Sequence, residues 1–304
     1  MSLNDLLITD RRKIRKVWGK TESDVYKDIE ILRKWLQTQK HLPEIPTDNM
    51  IEFFLVNCKF SIEKTKKTLD MYYTVPSLVP DVYKNAHPCT SDVESAYATV
   101  NIFCIPELTP TLHRLTIFQH KDVDFETADI RRSFAHCLKN FYEIRIHEDL
   151  SMGEIYLIDC ERIKVGVLAK VTPMLLKQAA FILERVHSLR THSVHVINAP
   201  SYYNQIVTLF KSLAKKKLAD RVHVHKSLDE LLKHLPLDIL PSDFGGKQKS
   251  CDELAELWKK KMFEYKDRFD KLEKMQVNEV LRPEKLENDE ILGYYGNFKK
   301  IDTD

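Results

Sequence analysis

The chain has 304 residues, 43% of them hydrophobic, enough for a real core in one large domain or two modest ones. Its 47 Lys plus Arg nearly cancel 45 Asp plus Glu, so net charge gives no argument for nucleic acid or another polyanionic partner. The six cysteines (Cys58, Cys89, Cys104, Cys137, Cys160, Cys251) stand at least 15 residues apart, which excludes a CxxC zinc or redox clip and reads as reduced, mostly buried thiols.

The N-terminus shows no signal-peptide core, and together with the scattered thiols this predicts a cytoplasmic protein. The longest stretch lacking Asp, Glu, Lys and Arg, residues 191–210, carries His192, His195, Asn198 and Asn204 and is too polar to span a bilayer. Any membrane contact is expected to be peripheral.

From Thr21 to Lys84 the pattern is helical. Val25, Ile29, Leu32 and Leu36 recur at three and four residues, Asp48 precedes Met50, Phe53, Phe54 and Val56, and Ser61 caps a stretch ending near Pro76. His87 to Asp92 reads as a linker. Beyond it short apolar runs alternate with longer amphipathic ones. Leu115–Phe118, Ile155–Ile158, Val194–Ile197 and Val222–Val224 read as strands, which predicts an α/β fold with a mainly parallel sheet and crossover helices. From Pro200 to Lys217, Tyr203, Ile206, Phe210 and Leu213 form one apolar face with Val207 and Leu209 beside it; periodicity alone does not separate a lid from a wall. Leu254, Trp258, Met262, Tyr265, Phe269 and Leu272 mark a C-terminal amphipathic helix, and a polar tail with two late glycines follows.

Only seven glycines occur, and none forms a GxGxxG, GxxxxGK[ST] or GxSxG motif, so dinucleotide, P-loop and hydrolase-elbow chemistry have no footing. His147-Glu148 begins like HExxH, but Ser151 takes the second histidine's place. His223 and His225 share a strand face without a ligand-spaced neighbour in sequence, so no metal and no cofactor are expected. Cys160 follows a strand end, where a nucleophile would stand, yet no local signature supplies its base; a buried structural thiol is the better reading.

Five segments in order, GEIYLIDCE (153–161), Thr172-Pro173, HVINAP (195–200), KLADRVHVH (217–225) and LPSDFGG (240–246), resemble the successive blocks of the CRAL-TRIO lipid-binding family. FFLVNCKFSIEKTKKTL (53–69) is similar to that family's helical N-terminal module, and the branch most resembled is that of animal tocopherol and retinaldehyde carriers. The resemblance implies three regions: a helical module over 1–91, a lipid-binding domain over 92–248, and a C-terminal helix and tail over 249–304.

It also implies a pocket floored by the sheet and gated by the helix after HVINAP. The matching wall positions are Phe134, Leu138, Tyr156, Ile158, Ile182 and Leu183, together with Val194, Tyr203, Ile206, Leu209, Phe210 and Leu213. Ser133, His136 and Asn140 are the candidates to meet a polar group of the ligand. A basic cleft for phosphoinositide headgroups is matched by Arg190, Lys217 and Arg221, with Lys211 nearby and His192 where the tocopherol carrier is basic. Leu218 stands where the phosphatidylinositol-transfer branch is expected to be hydroxylated, which argues for a single-chain or ring lipid rather than a whole phospholipid.

The implied function is binding and transfer of a tocopherol, retinoid, carotenoid or other isoprenoid, released at phosphoinositide-containing membranes, with no catalysis. The alternative from another class is a phosphoinositide-responsive adaptor using the helix around Trp258 and Phe269 as its partner surface. A third, an enzyme using Cys160, requires a reactive thiol.

Overall fold

The computed structural model describes residues 1–84, 86–124, 126 and 129–284. The N-terminal third is helical: α1 (Arg11–Val17), α2 (Glu22–Thr38), α3 (Asp48–Asn57), α4 (Ile62–Leu78), α5 (Pro80–Tyr83) and α6 (Glu94–Thr99). Side-chain oxygens start the longer ones. Thr21 and Asp24 close a capping box on α2, Thr47 accepts from Met50 N–H, and Ser61 accepts from Lys64 N–H. Helix α4 continues two residues past Pro76, beyond the stop the proline predicts. The segment 87–92 is packed rather than free: His87 is buried and its Nε2 lies 3.1 Å from Asp270 Oδ1.

The sheet has strands β1 (Val100–Cys104), β2 (Arg114–His120), β3 (Glu154–Asp159), β4 (Thr191–Ile197) and β5 (Val222–Val224), side by side in sequence order. Strand β1 is antiparallel to β2, and every later pair is parallel. This mixed α/β architecture with a mostly parallel sheet is the fold class the alternating pattern predicts, with β1 an addition. The crossovers carry α7 (Ile130–Ala135) and α8 (Tyr142–Glu148), then α9 (Val165–Leu168) and α10 (Pro173–Phe181). Next come α11 (Tyr203–Leu213) and α12 (Lys216–Ala219), and α13 (Leu228–Leu231) follows β5. Two π-helical stretches, His136–Phe141 and Ile182–Val186, extend α7 and α10.

The C-terminal pattern forms two helices, α14 (Cys251–Glu264) and α15 (Lys266–Lys274), broken at Tyr265. Both face inward: Trp258, Met262 and Phe269 belong to one core with α2, α3 and the sheet. Ion pairs seal the arrangement, Arg268 reaching Glu44 and Glu143, and Arg282 reaching Asp70. Residues 275–284 thereby drape along the N-terminal helices, where Asn278 N–H donates to His41 O. The rest of the tail, with Gly293 and Gly296, lies outside the described residues.

At the N-terminal ends of β2 and β3 sits a buried charge network. Arg114 and Arg145, both fully buried, hold Asp149 at 2.5 and 2.8 Å, and Arg145 also holds Glu154 at 2.6 Å. Two cations against two anions, each with several hydrogen bonds, make the burial tolerable.

Candidate functional site

Because side chains alternate along a strand, one sheet face collects Phe118 and His120 from β2, Tyr156 and Ile158 from β3, Val194 and Val196 from β4, and Val222 from β5. The register sets them side by side, Phe118 opposite Ile158, Tyr156 opposite Val194, and Val194 opposite Val222. They floor a cavity of about 870 Å³. Its walls are α7 with its π extension (Ile130, Ser133, Phe134, Cys137, Leu138) and α10 with its own (Leu176, Ala179, Ala180, Leu183). Helix α11 closes it with Tyr203, Ile206, Val207 and Phe210, a stripe at helical spacing. Among the described residues of α11 only Tyr203 is buried, so this helix covers the cavity without being embedded in the core.

Nine of the twelve expected wall residues line the cavity: Phe134, Leu138, Tyr156, Ile158, Leu183, Val194, Tyr203, Ile206 and Phe210. Three lie elsewhere. Ile182 is fully buried in the core beneath α10; Leu209, about 60° round α11 from Ile206, and Leu213, in the last turn, are half-buried outside the lining. Of the polar candidates only Ser133 lines the cavity, and its hydroxyl donates to Asp129 O at 2.8 Å. His136 faces a second cavity of about 440 Å³ beside Trp258, and Asn140 is buried with its Nδ2 donating to Ala86 O. The two still share a face, with Asn140 Nδ2 3.4 Å from His136 Nδ1, but it is not the face that lines the larger cavity.

The polar groups that do reach the interior are different ones. Tyr142 and Tyr156 bring their hydroxyls within 2.8 Å of each other, and the buried Nδ1 of His120 has no hydrogen-bond partner among the described residues. Burial drives the His120 imidazole down to about 4, so it is neutral at physiological pH.

The mouth lies at the N-terminal ends of the parallel strands. Gly153, at φ +148°, precedes β3 where a Cβ would stand 2.3 Å from Arg190 O, so only glycine lets β3 start against β4 and fixes Arg190. Arg190, His192, Lys217 and Arg221 all line this end, as the resemblance implies; Lys211 does not, and its charge acts instead on His223. The Arg190 guanidinium lies 5.1 Å from the Trp18 ring, and its buried Nη1 has no hydrogen-bond partner among the described residues. Burial first and Arg221 second depress its pKa. The His113 and His192 rings approach to 4.3 Å, and burial, then His192 and Arg190, push His113 to about 4.

The sequence reading missed Lys59, Lys64 and Lys67, which line the same mouth from the α3–α4 turn and the start of α4. Eight Lys and Arg side chains line the cavity against one carboxylate, Glu184, which pairs with Lys215 at 2.6 Å. Such an excess of positive charge attracts anions.

Other expected roles find no support in the geometry. Cys160 is fully buried and its thiol is pushed up to about 12 by burial, opposite to what a nucleophile needs. Trp258 is a core residue, which removes it from any partner surface. No helix among the described residues is long and apolar enough to cross a membrane.

Comparison with known proteins agrees with this geometry. Residues 21–93 match the family model described as "Pinta-like, UBA domain", and residues 101–246 match the model described as "CRAL/TRIO domain". The "Alpha-tocopherol transfer protein-like" protein of Homo sapiens is 26% identical over 228 residues, covering 72% of this chain and 65% of that protein. The corresponding Mus musculus protein is 27% identical over 230 residues, 72% of this chain and 64% of its own length. "Clavesin-1" of Rattus norvegicus is 26% identical over 232 residues, 73% and 64% respectively. The chain thus spans about 65% of the length of these curated relatives. A solved structure titled "Crystal structure of Sfh5" aligns with 85% of this chain and 100% of its own, at 11% identity and a TM-score of 0.43. Residues 101–246 of this chain thus form a CRAL/TRIO domain.

Proposed function

We propose that this protein carries one uncharged, largely hydrocarbon molecule of isoprenoid size, such as a tocopherol, retinoid or carotenoid. In this reading it surrenders the molecule at anionic, phosphoinositide-containing membranes without making or breaking a bond. The observation that carries it is the cavity. Protein interiors pack with few voids larger than a water, whereas about 870 Å³ enclosed by Phe118, Phe134, Leu138, Ile158, Val194 and Phe210 is several times an engineered ~150 Å³ cavity that takes up benzene. Burying roughly 400 Å² of hydrocarbon at about 25 cal/mol/Å² is worth about 10 kcal/mol before association costs, enough for tight binding without an ionic anchor.

The names of the similar proteins point to tocopherol-type ligands. The division into a helical module (1–91), a lipid-binding domain (92–248) and a C-terminal closure (249–304) belongs to the same proposal, as do Arg190, His192, Lys217 and Arg221 as headgroup contacts. With its six cysteines free and all but Cys89 buried, the protein is assigned in this proposal to the cytoplasm, touching membranes transiently.

The test is native mass spectrometry of the purified chain, alone and after exposure to tocopherols, retinoids, carotenoids, sterols and phospholipids, with extraction to identify what is bound. One lipid at one-to-one stoichiometry is expected. No binding across the panel would overturn the carrier reading in favour of an adaptor whose lipid contact is the cationic mouth alone.

A further inference from the structure

Tyr142 opens α8 and Tyr156 is the third residue of β3, so two separate elements aim their hydroxyls at one point inside the cavity. The oxygens lie 2.8 Å apart. Neither ring is free to swing. Tyr142 stacks on His187 at 5.2 Å with the Arg145 guanidinium 5.3 Å from its ring, and Tyr156 leans on Phe118 at 5.9 Å. Burial raises both phenol pKa values, so both stay protonated.

A count of protons then points to a ligand. Two phenols hold two O–H donors, and their mutual bond consumes one. Among the described residues neither hydroxyl has another hydrogen-bond partner, so the second donor and the remaining lone pairs are left over beside the apolar Phe118, Ile158 and Val194 of the sheet floor. Ser133 Oγ donates to Asp129 O, and Arg145, the cation packed on the Tyr142 ring, is held by Asp149 and Glu154. A carboxylate or phosphate at this point would therefore gain no partner from Arg145, and burying it would be costly.

We propose that the Tyr142–Tyr156 hydroxyl pair is the specificity point of the cavity, receiving a single uncharged oxygen, alcohol or carbonyl, on an otherwise hydrocarbon ligand. This rests on the carrier reading above. It deepens that reading by assigning an uncharged oxygen, rather than a carboxylate or phosphate, to this point and by ranking an alcohol above its parent alkane. Either tyrosine can serve alone, because removing one hydroxyl frees the other to donate to the ligand.

The experiment uses phytanol and its parent alkane phytane in equimolar competition for the full chain, read by native mass spectrometry. The chains compared are the wild type, Tyr142→Phe, Tyr156→Phe and the double variant, in all of which the aromatic packing is kept. The alcohol-to-alkane ratio is expected to survive each single change and to fall about tenfold in the double variant, as one net hydrogen bond implies. An unchanged ratio in the double variant, with both lipids still bound, would overturn the hydroxyl pair and leave the carrier reading intact. Failure of the wild type to bind either lipid would overturn both.

Discussion

The three lysines contributed by the helical module make the sharpest test of how the mouth works. Lys59, Lys64 and Lys67 are exposed and line the cavity beside Arg190, Lys217 and Arg221. Replacing all three by Gln touches no ion pair described for them and should leave stability within about 1 kcal/mol, as for most surface changes. Each Lys near an anionic leaflet contributes about 1 kcal/mol, so the triple variant should lose about 3 kcal/mol of attraction, roughly a 150-fold weaker association. The assay is co-sedimentation with phosphatidylcholine vesicles with and without a phosphoinositide, at two salt concentrations. Wild-type binding should require the anionic lipid and weaken with salt, since interactions beyond about 10 Å are screened at 0.1 M. The matched control is Lys27→Gln, Lys34→Gln and Lys260→Gln, three exposed lysines outside the cavity lining. If the mouth variant and the control bind anionic vesicles alike, net charge rather than the mouth governs membrane contact, and the reasoning fails.

Three further outcomes are expected. Helix α11, which buries only Tyr203, should exchange its amide hydrogens well before β3; equal protection of the two would mean that the cover does not open locally. Asp149→Asn leaves Arg114 and Arg145 facing Glu154 alone and should cost about 3–5 kcal/mol in urea denaturation, whereas an unchanged midpoint would show that the network is not held as a unit. Burial holds His120, His136 and His187 at about 4 in the folded chain, below the 6.5 of a free imidazole, so the unfolded chain binds more protons between those values. Their stability contribution is complete above pH 6.5 and lost as pH falls towards 4, at a slope near pH 5 of about 4 kcal/mol per pH unit for three histidines. Matching urea midpoints at pH 7 and pH 5 would contradict this.

Much of this architecture is written locally in the sequence. Strand β3 shows as the continuous apolar run Ile155–Ile158 because both its faces are covered, and Thr21 and Ser61 mark helix starts by the hydrogen bonds their side chains accept. Strand β1 escapes notice because Asn101 interrupts its apolar run, and only in three dimensions does its Nδ2 find Gln119 and Asp252. The single C-terminal periodicity conceals a break, since Tyr265 and Phe269 keep the spacing while the chain turns at Tyr265 and ties its hydroxyl to Glu148. The site is less legible for a stated reason. Which of Ser133, His136 and Asn140 faces the cavity depends on how α7 and its extension are rotated against the sheet, which hydrophobic periodicity does not fix. Lys59, Lys64 and Lys67 look like an ordinary solvated turn until the helical module is docked against the sheet.

The geometry also limits how membrane contact could act on α11. Lys215, just past the end of α11, is tied to Glu184 on the π-helical extension of α10, and both line the cavity mouth. An anion arriving at Lys215, Lys217 and Arg221 would compete with Glu184 for Lys215 and loosen that end of the cover. The pair is exposed on one side, however, and exposed pairs are worth about 1 kcal/mol at most, which shifts an opening equilibrium only about fivefold. A larger shift requires cations that meet the anion better when α11 is open. Arg190 is the side chain suited to that, because its Nη1 is buried and has no hydrogen-bond partner among the described residues. An anion that reached this atom would replace an unmade hydrogen bond with a charge-assisted one. On the carrier reading proposed above, Arg190 is therefore a stronger point than the Lys215–Glu184 tie for headgroup binding to act on release.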